Sequence, residues 1–323
     1  MSHEYALPTD YPSASADSSA TPQVSQQHLP LRETNNGALP SPVAVAAGRV
    51  SSRQLDKIMT RLSDRDRAVL SSVERYKFLT TRHIEALHFT GHASKASAAR
   101  TARRVLDRLR HDRILATLER RIGGIRAGSE GLVYFVDAVG DRILRASDDN
   151  RPRRRAYEPS ARFLNHTLAI ADLAVALLTA ARASHREVAT LAPEPYSWRR
   201  YIEISGSPQI LKPDLYVELA DRPDSDEVEA FFIEVDLGQE SLPTLVGKCR
   251  QYELYRQTGL EQQEFGSFPQ VVWAMGTPRP AAASRRREAL GRAIEGDQTL
   301  TAALFQILPL GDAAIRVLGA VPG

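Results

Sequence analysis

From residue 62 onward the hydrophobic positions recur at helical spacing. In LSDRDRAVLSSVERYKF, Leu62, Val69, Leu70 and Val73 form one stripe, and Ser63 with Asp66 fits a capping box with Asp in place of Glu, so a helix begins there. LTTRHIEALHF predicts a second helix, with Thr80 or Thr81 as N-cap and Ile84 and Leu87 facing inward. SKASAARTARRVLDRLRHDRIL predicts a third, with Ala98, Thr101 or Ala102, Val105 and Leu109 inward and basic residues elsewhere. In LATLERRIGGIRAGSEGLVYFVD the period changes: two strand-like runs flank a Gly-rich, basic turn, the pattern of a hairpin.

Three helices followed by a hairpin is the order of a winged helix-turn-helix domain, here over residues 53–145. In such domains the third helix enters the major groove and the hairpin tip touches backbone phosphates. Lys95, Ser97, Arg100, Arg103 and Arg104 on the third helix, and Arg120, Arg121 and Arg126 around the hairpin turn, are therefore the expected contacts to double-stranded DNA. Arg100 and Arg104, one turn apart, lead that set. A basic helix that is merely solvated shows the same pattern.

Residues 1–52 are rich in Ser, Pro, Ala, Gln and Asn and poor in large apolar side chains, which predicts a disordered tail. Residues 146–160, polar, Arg-rich and interrupted by proline, read as a linker. FLNHTLAIADLAVALLTAAR is apolar nearly all round, so it is expected to lie buried between other elements. Its His166 is expected to be a hydrogen-bonded core residue, and Asp172 to pair across an interface with a partner that the pattern does not name. From there strands come first, then strand and helix alternate, so residues 161–323 predict an α/β (α+β) domain with a mixed sheet and flanking helices.

One strand in that domain poses a problem. In FFIEVDLGQES, alternation puts Phe232, Glu234 and Asp236 on one face and Phe231, Ile233, Val235 and Leu237 on the other, a core face and an acidic face. Adjacent carboxylates repel and are costly to bury, so a metal ion, a basic partner or solvent must offset them. LKPDLYVEL is expected to pair with this strand in antiparallel fashion, which would bring Asp214 near Glu234. Ser241 can cap the next helix, where Lys248, Tyr252 and Tyr255 share a face that looks back at the carboxylates.

The net charge of +3 conceals a segregation. Lys95 to Arg126 holds ten Lys/Arg against three Asp/Glu, whereas Tyr201 to Glu264 holds five against fourteen. A polyanion-facing module joined to something else is expected. The single cysteine, Cys249, excludes an internal disulfide framework and a cysteine-rich zinc site, and reads as a packed apolar residue in a reducing cytoplasm. No run is read as reaching the roughly 18–20 apolar residues of a membrane span. No membrane partner is expected.

The succession of Pro213-Asp214, Glu234-x-Asp236, Gly238 to Ser241 and Lys248-x-x-x-Tyr252 resembles the replication-relaxation family of bacterial plasmids and integrated elements, and the element order from about residue 60 to 275 agrees. The resemblance implies a DNA-binding accessory role in plasmid or mobile-element replication, relaxation or transfer, with replication or relaxase proteins as partners. The same module is similar to the PD-(D/E)xK, restriction-endonuclease-like fold. That similarity implies a Mg²⁺ site formed by Asp214, Glu234 and Asp236, with Asp214, Glu234 and Lys248 as catalytic residues of a DNA endonuclease. Asp236 stands where that pattern has lysine, so Lys248 would have to substitute from the following helix. A third reading is a transcriptional regulator with a non-catalytic C-terminal domain. Because winged helices often work in pairs, a homodimer is expected.

Overall fold

The computed structural model describes residues 50–118, 132–146, 159–203, 206–223, 225 and 227–319. The expected tail, the hairpin turn with Arg120, Arg121 and Arg126, and most of the basic linker lie outside the described residues. Ser52 to Gly323 cluster as one compact unit.

The first half packs helices α1 (Ser52–Arg61), α2 (Asp64–Tyr76), α3 (Thr81–His88), α4 (Lys95–His111) and α5 (Ala138–Ala146) around a small antiparallel sheet of order β1-β3-β2. Its strands are β1 (Leu79–Thr80), β2 (Leu115–Thr117) and β3 (Val133–Val136), with Leu79 opposite Tyr134 and Leu115 opposite Val136. The capping box forms as the spacing predicts: Ser63 Oγ accepts the Asp66 backbone N–H, and Asp66 Oδ2 accepts the Ser63 N–H at 2.9 Å. Asp66 is 1% exposed, and its other oxygen accepts a 2.6 Å bond from Arg108 on α4. Burial alone would raise this carboxyl, but Arg108 and Ser63 hold it below its ordinary value.

Thr80, not Thr81, caps α3, and His83 Nδ1 returns a bond by accepting the Thr80 N–H. On α4 the fully buried side chains are Ala102, Leu106 and Leu109, while Val105 and Ala98 are only half buried. Both this stripe and the expected one through Val105 have helical spacing, and packing selects the one through Leu106.

Helix α6 (Ala161–Ser184), capped by Ser160, leads into the second half. Over an 18-residue window its mean hydropathy reaches 1.5, so by length and composition it could cross a membrane, which corrects the reading that no run comes close. Its apolar surface is used as a core helix, packing on α3 and β1 on one side and on β4 (Glu187–Pro193), β8 (Val228–Asp236) and α10 (Ala313–Val317) on the other. Asp172 finds its partner in His83, 2.7 Å away. Further ties between the halves run from Lys77 to Glu194 at 2.7 Å and from Arg182 to the Ala86 carbonyl at 3.1 Å.

The main sheet has the order β10-β9-β8-β7-β4, with β7 (Leu215–Ala220), β9 (Gln270–Met275) and β10 (Phe305–Pro309) as its other strands. Strands β4, β7 and β8 run antiparallel, and β9 and β10 run parallel to β8. Helices α7 (Leu242–Gln257) and α9 (Pro280–Glu295) cover one face through Leu245, Cys249, Trp273, Met275, Leu290 and Ile294. Cys249 is buried there, consistent with a packing role. A separate hairpin, β5 (Arg199–Ile202) and β6 (Pro208–Leu211), lies on α7, and short α8 (Leu260–Phe265) supplies Glu261, which pairs with Arg199 at 2.9 Å.

Asp66→Ala removes the cap acceptor and unpairs Arg108 in one step. Urea unfolding at pH 7 should show a loss of about 1–3 kcal/mol. The depressed carboxyl stabilises the fold above the ordinary 3.8 and ceases to do so as pH falls through its folded value, so the difference from wild type should narrow in acid. A loss that does not change with pH would show that the charge is not what Asp66 contributes.

Candidate functional site

Register is what assembles the carboxylates. Leu215 lies opposite Ile233, so Asp214, one step before β7, falls opposite Glu234, as the pairing of LKPDLYVEL with the acidic strand predicts. Asp214 Oδ2 accepts the Val235 backbone N–H at 2.7 Å and fixes the start of β7 against β8. The strand alternation also holds, but the acidic face is not solvated: β8 is buried from Phe231 to Asp236, with Asp214, Glu234 and Asp236 all below 9% exposure.

Each carboxylate is met from a different helix. His166 on α6 reaches Asp214 Oδ1 at 3.0 Å. On α7, Lys248 Nζ donates to Glu234 Oε2 at 3.1 Å and Tyr252 Oη–H to Glu234 Oε1 at 2.7 Å. Lys248 also pairs with Glu240 at 3.3 Å. Asp236 is separated from the other two by its own partner: Arg286 of α9 grips both its oxygens, and the Gly238 N–H adds a bond of 3.1 Å. Tyr255, expected on the same face as Lys248 and Tyr252, turns away to donate to Glu261 at 2.8 Å.

The charges respond to this packing. Burial, with the Asp214 charge next to it, pushes the Glu234 carboxyl up to about 7 despite Lys248 and Tyr252. Burial pulls the Lys248 ammonium down, but Glu234, Asp214 and Glu240 outweigh it and hold the group above its ordinary value. For His166 burial acts downward, and the bond and charge of Asp214 reverse it into a net rise.

The expected Mg²⁺ ligands therefore do not converge. Asp214 and Glu234 are neighbours, but all four of their oxygens already accept from protein donors, and Asp236 belongs to Arg286. Among the described residues no group of three His, Cys, Asp or Glu side chains is placed to hold a metal ion. The donor set as it stands does not fit one. Of the residues that complete the cluster, His166 is expected from the sequence only as a core histidine, and no spacing in the sequence points to Arg286. Their partners are 48 and 50 residues away, beyond any local spacing signal.

The second candidate surface is α4. Lys95, Arg100, Arg103 and Arg104 are exposed, and Arg100 and Arg104 lie opposite the buried stripe. Arg103 turns back to the Ala99 carbonyl at 3.2 Å, whereas Lys95, Arg100 and Arg104 have no ion-pair partner among the described residues. Ser97 is half buried in the first turn, where its backbone N–H donates to Ser94 Oγ.

A raised Glu234 carboxyl means that the folded chain binds more protons than the unfolded one between about 4.5 and 7, so stability falls as pH rises through that window. Glu234→Gln removes this dependence. The stability of wild type relative to the variant should drop by on the order of 1–3 kcal/mol from pH 4.5 to 7.5 in urea titrations. A constant difference would place the Glu234 titration outside that range.

No curated protein and no solved structure matches the chain. The profile of the replication-relaxation family matches residues 70–271, from the middle of α2 to the start of β9 and across both candidate surfaces. That span is more than half of the 323 residues, and the chain belongs to the replication-relaxation family.

Proposed function

We propose that the chain is a DNA-binding accessory protein of plasmid or mobile-element replication, relaxation or transfer, and that it holds duplex DNA against the outer face of α4. Family membership suggests the replication or relaxation role. The order α2, β1, α3, α4, β2, β3 supports a winged-helix reading of the first half, in which α4 is the helix for the major groove. The observation that carries the proposal is the division of labour along α4. Arg108 is committed to Asp66, while Arg100 and Arg104, two turns and one turn earlier, are exposed and without an ion-pair partner among the described residues. Clustered guanidinium groups of this kind bind phosphates by releasing counterions, or read guanine edges when a helix lies in the groove. Replication or relaxase proteins, and a second copy of the chain, are proposed partners on the same reading.

The run α6, β4, β7, β8, α7, β9 supports a restriction-endonuclease-like reading of the second half. The observation in favour of a nuclease is the register that sets Asp214 opposite Glu234. Against it stands the donor set, which does not fit Mg²⁺. A purely regulatory protein would instead protect a defined operator and leave DNA uncut.

Fluorescence anisotropy with a labelled duplex, repeated over a salt series, tests the α4 surface. Binding should weaken linearly in log–log form, and the double variant Arg100→Ala/Arg104→Ala should lower the magnitude of the slope by about 2. An unchanged slope would reject α4 as the DNA surface. Supercoiled plasmid incubated with the protein and Mg²⁺ should remain uncut; cutting that Glu234→Ala abolishes would replace the accessory role with a nuclease.

A further inference from the structure

We propose that Lys248 is the resident cation of the Asp214/Glu234 pair, its ammonium occupying the place that a divalent ion would need, so that the cluster excludes Mg²⁺ and Mn²⁺ for as long as the lysine is present. The proposal concerns the sheet half alone and does not rest on DNA binding by α4, so either can fail without the other.

Asp214 and Glu234 are paired by register and are both buried, which leaves two carboxylates with a strong need for a counter-charge. Lys248 meets it from the first half of α7, at 3.1 Å from Glu234 and 3.3 Å from Glu240. Its nitrogen lies within range of the Trp273 ring, 6.0 Å from the centroid, so aromatic surface backs the ammonium on another side. A divalent ion must approach a carboxylate oxygen to about 2.1 Å for Mg²⁺. At Glu234 it would then stand beside an ammonium already hydrogen-bonded to the same carboxylate, and the two cations would repel in a buried site.

The remaining donors reinforce the exclusion. Tyr252 Oη–H and the Val235 N–H, both held by secondary structure, occupy Glu234 Oε1 and Asp214 Oδ2. His166 covers Asp214 Oδ1. The third acid that could raise the negative charge, Asp236, is neutralised by Arg286. Among these donors Lys248 alone sets a cation against Glu234. Removing it should leave two adjacent carboxylates with no cation between them.

Manganese binding by the purified full chain, followed by electron paramagnetic resonance of free Mn²⁺, reads this directly. Wild type should bind no Mn²⁺ at the cluster, and its thermal unfolding should be the same in EDTA and in Mg²⁺. Lys248→Ala should gain one Mn²⁺ site, about tenfold or more tighter than any wild-type binding, and Lys248→Ala/Glu234→Gln should lose it again. Lys248→Arg, which keeps the charge, should exclude Mn²⁺ as wild type does. Circular dichroism establishes that each variant is folded. A wild-type Mn²⁺ site that Glu234→Gln abolishes would overturn the proposal, as would a folded Lys248→Ala that binds no better than wild type. If Lys248→Ala does not fold, Lys248→Met, which keeps much of the side-chain length without the charge, takes its place: a gained Mn²⁺ site upholds the proposal, and a folded Lys248→Met that binds no better than wild type overturns it.

Discussion

Burying Asp214, Glu234 and Asp236 at one end of a sheet sets a constraint that the rest of the second half has to meet. A desolvated carboxylate costs several kcal/mol unless a donor or cation reaches it, and the sheet itself supplies only the Val235 N–H. The other partners must come from the layers above and below. His166 comes from α6, Lys248 and Tyr252 from α7, and Arg286 from α9. Apolar packing gives each helix its affinity for the sheet, but many rotations and shifts would bury similar area. Only one placement of each helix satisfies its carboxylate, so the polar cluster fixes the geometry that the hydrophobic core leaves loose.

The same device recurs in the helical half and joins the two. Asp66 ties the start of α2 to Arg108 on α4, which fixes the angle at which α4 presents its outer face. His83 on α3 donates through Nε2 to Asp172, because its Nδ1 already accepts the Thr80 N–H. Two polar side chains of helix α6 serve opposite neighbours: His166 reaches the sheet, and Asp172 the helical half. With Lys77 reaching Glu194, whose backbone N–H in turn donates to the Asp214 carbonyl, the helical half and the carboxylate cluster belong to one framework.

What could be read from the chain beforehand follows the range of the interactions involved. The Ser63/Asp66 capping box, the Ser241 cap and the helical stripe of α2 depend on residues three or four apart and were legible as such. The β7–β8 register was legible too, since a strand with two differently composed faces tolerates no slip by one residue. The α4 stripe was misplaced by one position at Val105 because alanines and threonines leave its phase weakly marked, and only packing selects Leu106. Helix α6 meets the composition of a membrane span for a reason that composition cannot reveal: it is sandwiched between two halves of one protein. The identity of the counter-charges was hidden most deeply, because Arg286, His166 and His83 lie tens of residues from the acids they serve.

The cluster also bears on how a sheet with buried carboxylates can serve a protein whose proposed work is holding DNA. A site that cuts requires carboxylates that are charged, open and able to exchange ligands. Here burial favours the protonated form of Glu234, and the lysine opposite it is stabilised as a cation, so with Glu234 protonated the Lys248 charge stands against Asp214 alone, and with Glu234 ionised it stands against two carboxylates. With Glu234 protonated, the fully hydrogen-bonded cluster neither repels a phosphate backbone strongly nor demands a metal to offset its charge. Arg286, bound to Asp236 and to the Glu240 carbonyl, cancels the third carboxylate at the same end of the sheet. The arrangement thus balances the charge of an acidic strand from within, and the positive charge of Arg100 and Arg104 on α4, unpaired among the described residues, is left uncountered by it.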